Sequence, residues 1–142
     1  MSTTRKTTWH IWIVGILTLL WNSFGAFDYV MTQTQNEAYM SAFSEEQLAY
    51  FYAMPTWYVI SWSVAIWTAV LGSLLILFRS KFAVPVLALS LLGFIAGAVY
   101  SIFLYPMPGA SMGNYIFSGV IFTILLMQFL YSLVMAKSGV LK

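Results

Sequence analysis

The 142-residue chain is 61% hydrophobic and 18% aromatic, only 7% of its residues are charged, and it has no cysteine. A soluble domain carries about 25% charge, and a chain this short cannot hide such an apolar excess in a core. The composition is that of an integral membrane protein. Disulfides, thiolate metal sites and iron–sulfur clusters are excluded by the absence of cysteine. A lone histidine, His10, excludes a bis-histidine site within one chain.

A crossing helix needs about 20 mainly apolar residues to span roughly 30 Å of hydrocarbon. Four stretches meet this: Trp9–Met31, Trp57–Phe78, Phe82–Leu104 and Tyr115–Ala136. Arg5 and Lys6 ahead of apolar Ile11–Trp21 resemble the start of a signal peptide. The apolar run continues to Met31 with no small-residue cleavage site near Ala26, so an uncleaved first span is expected. Arg79-Ser80-Lys81 joins spans two and three so tightly that they must form an antiparallel hairpin. Pro106, Pro108, Gly109 and Gly113 break the chain between spans three and four. Residues 1–142 thus read as one all-α membrane domain, an antiparallel four-helix bundle. Its first outer loop, 32–56, carries a short amphipathic helix.

Charge sorts by side. Arg5, Lys6, Arg79, Lys81, Lys137 and Lys142 flank one set of span ends, whereas Asp28, Glu37, Glu45 and Glu46 lie toward the other. Basic residues beside spans stay cytoplasmic, so both termini are expected inside and segment 32–56 outside. Trp9 and Trp12 mark the inner interface, and Tyr29, Trp57, Tyr58, Tyr105 and Tyr115 the outer one, as anchors. His10 is expected to contact headgroups.

In the outer loop, Phe43-Ser44-Glu45-Glu46-Gln47-Leu48 has the form of a helix start. Ser44 is the N-cap, Gln47 reaches back to it, and Phe43 and Leu48 form a hydrophobic staple. Glu45 and Glu46 sit in the first turn, where carboxylates favour the positive end of the helix dipole. Leu48, Phe51, Tyr52 and Pro55 follow on one apolar face. Three readings fit: a lid over the bundle mouth, a helix on the membrane surface, or an extension of span two.

Polar residues inside lipid face protein or water. In span one, Gly15, Thr18, Asn22, Gly25 and Tyr29 share a stripe, with Asp28 at its edge. In span four, Asn114, Ser118, Gln128 and Ser132 share another. Asn22 and Gln128 come close enough in depth to belong to one polar seam, either interhelical hydrogen bonding or a substrate path. Ser61, Ala65, Thr68 and Gly72 in span two, and Gly93, Gly97 and Ser101 in span three, are small-residue packing faces. Pro85 fits the first turn of span three, where its missing N–H costs nothing. Asp28 reads either as a proton- or cation-coupling acid or as an interfacial acid bonded to Tyr29, Thr32 or the outer loop.

The run WNSFGAFDYVMTQTQNEAYMSAFSEEQLAYFY (Trp21–Tyr52), with PTW at Pro55–Trp57, resembles a family of small uncharacterised bacterial inner-membrane proteins. The similarity extends over the whole four-span chain. Members are sometimes labelled "sugar transporter", which implies transport in the bacterial inner membrane but brings no binding motif onto particular residues.

Two functional classes fit the sequence. One is a small transporter of an unidentified solute, with Asp28, Asn22, Thr18, Tyr29 and Gln128 along its path. Because four helices would enclose little more than a thin seam, it would work as a homo-oligomer. The other is a non-catalytic accessory or assembly subunit of a larger membrane complex. An enzyme is not expected: there is no nucleophile–base set, zincin motif or phosphate loop, and the acids and His10 fall on opposite sides of the membrane. No metal or cofactor is expected, and the few dispersed basic residues exclude nucleic-acid binding. The bilayer is the one certain partner.

Overall fold

Lipid offers the backbone no hydrogen-bond partner, so each crossing segment must satisfy its own peptide groups. The computed structural model describes residues 9–142, and every regular element among them is helical. The four long helices are α1 (Trp9–Gln33), α4 (Thr56–Leu77), α5 (Ala83–Ala98) and α6 (Met112–Lys137). A π-helical turn, Val99–Leu104, continues α5. With that turn included, the four crossings have 25, 22, 22 and 26 residues, each long and apolar enough to span a membrane. Two short helices, α2 (Glu37–Met40) and α3 (Glu45–Tyr52), lie between α1 and α4. The chain is a multi-pass membrane protein folded as an antiparallel bundle.

Span ends move only where capping moves them. Asn114 accepts from the Ser111 backbone N–H at 2.8 Å, which starts α6 at Met112 rather than at Tyr115. At the end of α1, Gln35 takes positive φ (54°), and the Asn36 N–H returns to the Met31 carbonyl at 3.0 Å. This closes the helix in the manner of a Schellman cap. Pro85 falls in the first turn of α5, as expected. The connection between α4 and α5 is the tight turn anticipated, with Arg79 at φ 58° and the Ser80 N–H bonded to the Leu75 carbonyl at 2.8 Å.

Packing is closest between α4 and α5, then between α1 and α4, and then between α5 and α6. Small residues set these distances. A Cβ on Gly93 would lie 2.8 Å from the Ser61 carbonyl oxygen and 3.1 Å from the Ala65 nitrogen, so α5 rests on the α4 backbone there. Ser90, fully buried, donates to the Ala65 carbonyl at 2.6 Å on the same contact. Gly15 leaves a notch filled by Leu77, and Gly72 one filled by Leu87. The Gly93–Gly97 pair therefore serves the interior of the bundle.

The apolar core is concentrated at one end, around Ile11, Ile76, Ala83 and Leu87. The chain's last residues complete it. Gly139 takes φ 84°, which turns Val140 and Leu141 back under the bundle, where they are 3% and 2% exposed. The Lys142 N–H donates to the Arg79 carbonyl at 2.8 Å and fastens this flap. The same end carries Arg79, Lys81, Lys137 and Lys142, whereas Asp28, Glu37, Glu45 and Glu46 lie toward the other. These are called the basic and acidic ends below. Arg5 and Lys6, assigned to the basic side from sequence, lie outside the described residues.

Gly93→Ala should lower the thermal stability of the detergent-solubilised protein by about 1–3 kcal/mol, because the obstacle is backbone and cannot swing away. Gly119→Ala, where an added Cβ meets nothing within 4 Å, should leave the melting temperature unchanged or raise it.

Candidate functional site

The polar stripes of the first and last spans meet. Asn22 donates from its side-chain amide to the Ala69 carbonyl at 3.1 Å, to Ser73 Oγ at 3.0 Å and to Gln128 Oε1 at 3.2 Å. Gln128, only 2% exposed, donates from Nε2 to Ser73 Oγ at 2.9 Å. Ser73 in turn donates to Thr18 Oγ1 at 3.1 Å. Thr18 also donates to the Val14 carbonyl at 2.7 Å. Three helices are tied at one level, and no buried side-chain polar atom among the described residues lacks a partner. Asn22 and Gln128 are expected from sequence to share one seam, and Thr18 to share the α1 stripe with Asn22. Ser73 is not anticipated, although it is fully buried and joins all three. Its only local signal is the i, i+4 run of small residues Ala65, Ala69 and Ser73 along the inward side of α4.

On the acidic side of the seam the helices diverge. Backbones of α1 and α6 approach less closely than the other neighbouring pairs, and a cavity of about 660 Å³ opens within the bundle. Its volume falls within the roughly 300–1,000 Å³ of small-molecule sites. The expected thin seam is thus the floor of a real chamber, with Asn22, Ala69 and Leu125 at its base. Trp21, Phe24 and Phe27 of α1, Tyr58 and Trp62 of α4, and Phe94 and Phe117 of α5 and α6 form aromatic walls. Gly93 and Gly97, at their close approach to α4, line the remaining wall together with Ala65. Below the seam the apolar core of the basic end closes the bundle.

Asp28 lines this cavity and accepts a short hydrogen bond from the Tyr39 hydroxyl. Of the partners weighed from sequence, the outer loop is the one found. Tyr39 is placed by its own small device: Asn36 caps α2 and accepts from the Tyr39 N–H at 3.0 Å. The Tyr39 ring also packs edge-on against Phe27 at 5.6 Å. The Asp28 hydrogen bond, then burial, then the Asp28 charge push the Tyr39 phenol up from 10.0 to about 12. No described basic residue is near, because all four sit at the opposite end.

Tyr29 stands apart from this chamber. Its ring packs edge-on against Trp62 at 4.9 Å and against Trp67 at 6.1 Å. It therefore packs α1 on α4 instead of lining a path with Asp28. Tyr58 also turns inward, 4.5 Å from Tyr100 between ring centres. Tyr100 is 5% exposed, and the π-helical turn carries it into a cluster with Trp57, Tyr58, Tyr50 and Tyr105. π-helical turns have no sequence signature and recur at functional sites. His10 gains a protein partner that its position did not suggest: its Nδ1 meets the Tyr131 hydroxyl at 2.5 Å, joining α1 to α6 at the basic end.

The helix α3 at the acidic end forms as read. Ser44 Oγ accepts from the Gln47 N–H, and Gln47 Oε1 accepts from the Ser44 N–H, both at 3.2 Å. Glu45 and Glu46 occupy the first turn. The helix ends at Tyr52, and Pro55 starts α4 separately, so α3 is not an extension of the second span. Leu48 and Phe51 of the expected face are half-buried, and only Tyr52 departs from it. Phe43 stacks edge-on with Phe51 at 5.0 Å, Tyr52 is 41% exposed, and Tyr50 turns in to donate to the Tyr105 carbonyl at 2.7 Å. Gln47 Nε2 donates to the Pro108 carbonyl at 3.3 Å, fixing α3 to the turn before α6. None of its residues lines the cavity; the outer-segment residue that does is Tyr39.

Among the described residues no group of three or more histidines, cysteines or acids could hold a metal ion. No protein-family model matches the chain, and no curated protein or solved structure matches it either.

The seam can be weighed by a double-mutant cycle with Asn22→Ala and Gln128→Ala in detergent, where a coupling of about 0.6–1.7 kcal/mol is expected, the range for interhelical hydrogen bonds. Additive effects would mean the pair is not bonded. For Tyr39, phenolate absorbance of wild type minus Tyr39→Phe should show one phenol titrating near 12. A phenol held above its unfolded value contributes stability that is fully present below pH 10 and fades as pH rises to about 12. A difference titration centred on the ordinary value would contradict the contact.

Proposed function

We propose that the chain is a small transporter of the bacterial inner membrane, with both termini cytoplasmic and the acidic end outward. The observation that carries the reading is the cavity, walled by all four crossings and closed at the basic end by packed core. A binding chamber with one closed end is what a transporter needs in one of its two access states. Asp28, on the chamber wall, is the coupling acid in this reading, and its bond to Tyr39 holds the outer segment against the chamber. Thr18, Asn22 and Gln128 act as the barrier beneath the solute rather than as its lining path, because their hydrogen bonds are made to one another and to Ser73. Access to the basic end requires this seam to open.

The bias of basic residues to one side supports the orientation through the positive-inside rule. Assembly into a homo-oligomer remains part of the proposal, but the chamber lies within one chain and binding does not need a second copy.

Proteoliposomes containing a pH-sensitive dye test the coupling role. A solute gradient from a panel of sugars and organic cations should drive proton movement with wild-type protein. Asp28→Asn should cut it by at least about tenfold. Asn22→Leu should alter the rate by loosening the barrier. Proton movement unaffected by both substitutions would overturn the reading.

A further inference from the structure

We infer that the cavity is a binding site for a bulky organic cation, a quaternary ammonium or phosphonium ion with apolar substituents. The inference deepens the proposed function by naming a solute class, but it requires only binding, not passage. Among the described residues Asp28 is the only acid lining the cavity, and no lysine or arginine lines it. A carboxylate at membrane depth is costly unless it is paired or hydrated. One of its oxygens accepts the Tyr39 hydroxyl, which leaves its charge uncompensated by any described cation.

The surrounding walls are suited to a positive charge that carries apolar bulk. Trp21, Tyr39, Tyr58 and Trp62 all line the same space, and the faces of such rings attract cations, most strongly where water is excluded. Tyr39, with its phenol held up to about 12, stays neutral at physiological pH and adds no competing negative charge. A neutral sugar fits less well. It needs a dense set of hydrogen-bonding partners, whereas the Asn22 amide on the floor already donates to Ala69, Ser73 and Gln128, and the hydroxyls of Ser101 and Ser118 on the wall are too few for a polyol. A small hydrated metal ion fits poorly too, since no cluster of acids or histidines could replace its water. The volume of about 660 Å³ admits a cation with several aryl or alkyl groups.

Two ions of the same shape and opposite charge provide the test: tetraphenylphosphonium and tetraphenylborate. Purified protein in a neutral detergent is titrated with each by calorimetry and by tryptophan fluorescence, with empty micelles as the blank. The cation should bind saturably and quench fluorescence, through Trp21 and Trp62, and the borate should bind at least about tenfold more weakly. Asp28→Asn, with unchanged circular dichroism, should weaken cation binding about tenfold, which is about 1.4 kcal/mol, and narrow the gap between the two ions. Equal affinity for both ions in wild type overturns the inference and makes the cavity a charge-blind apolar slot. This arm needs no variant to fold. Unchanged cation affinity in a folded Asp28→Asn also overturns it. Cation binding without any flux in proteoliposomes would remove the transport reading and keep the site. Flux of a neutral sugar without cation binding would do the reverse.

Discussion

The hydrogen-bonded knot of Asn22, Ser73 and Gln128 organises this bundle. In lipid, an amide side chain has no solvent to fall back on, so two amides and a hydroxyl on three helices are drawn to one another. Their bonds, 2.9–3.2 Å long, fix where α1, α4 and α6 converge. Toward the basic end the same helices stay together around Ile11, Ile76 and Leu87, with Val140 and Leu141 folded in beneath them. Toward the acidic end they part. The cavity is what lies above the point of convergence, and the knot is its floor.

A second constraint acts from the side of α5. Gly93 brings its backbone against Ser61 and Ala65, which makes α4 and α5 a close pair. With that pair closely packed, the widest gap in the acidic half lies between α1 and α6. Phe24 and Phe117, on those two helices, are 73% and 56% exposed at the cavity's edge. The outer segment spans this end at two places. Tyr39 reaches Asp28 on the α1 side, while Gln47 and Tyr50 hold α3 to the loop between α5 and α6. Tyr39 is thus the outer-loop contact to the cavity wall, while α3 is tied to the α5–α6 connection.

Much of this was legible in the residues, and what was missed has a common physical cause. Four crossings, the hairpin at Arg79–Lys81, the Ser44–Gln47 capping box and the Asn22–Gln128 seam all follow from local composition or from counting along helices. Ser73 escaped because a serine among small apolar neighbours looks like packing until another helix supplies Asn22. His10 escaped because its partner, Tyr131, is 121 residues away. The inward packing of Tyr29 and Tyr58 escaped because position along a span does not say which way a ring turns. The π-helical turn that carries Tyr100 inward obeys a hydrogen-bond pattern without a residue code. Asp28 could be singled out as the one acid at a span, but its bond to Tyr39 depends on a one-turn helix that begins at an unremarkable Asn36.

The central claim is that the seam divides an accessible chamber from a sealed base, and thiol labelling tests it most directly. The chain has no cysteine of its own, so single substitutions report cleanly. Ser118 lines the cavity on the acidic side of Gln128, and Ser132, fully buried, lies on the basic side. A small membrane-impermeant thiol reagent added from the acidic side should label Ser118→Cys and leave Ser132→Cys unmodified. Asn22→Leu in the same background should increase labelling at position 132. Protection of Ser118→Cys, or equal labelling at both positions in the otherwise wild-type chain, would contradict the account.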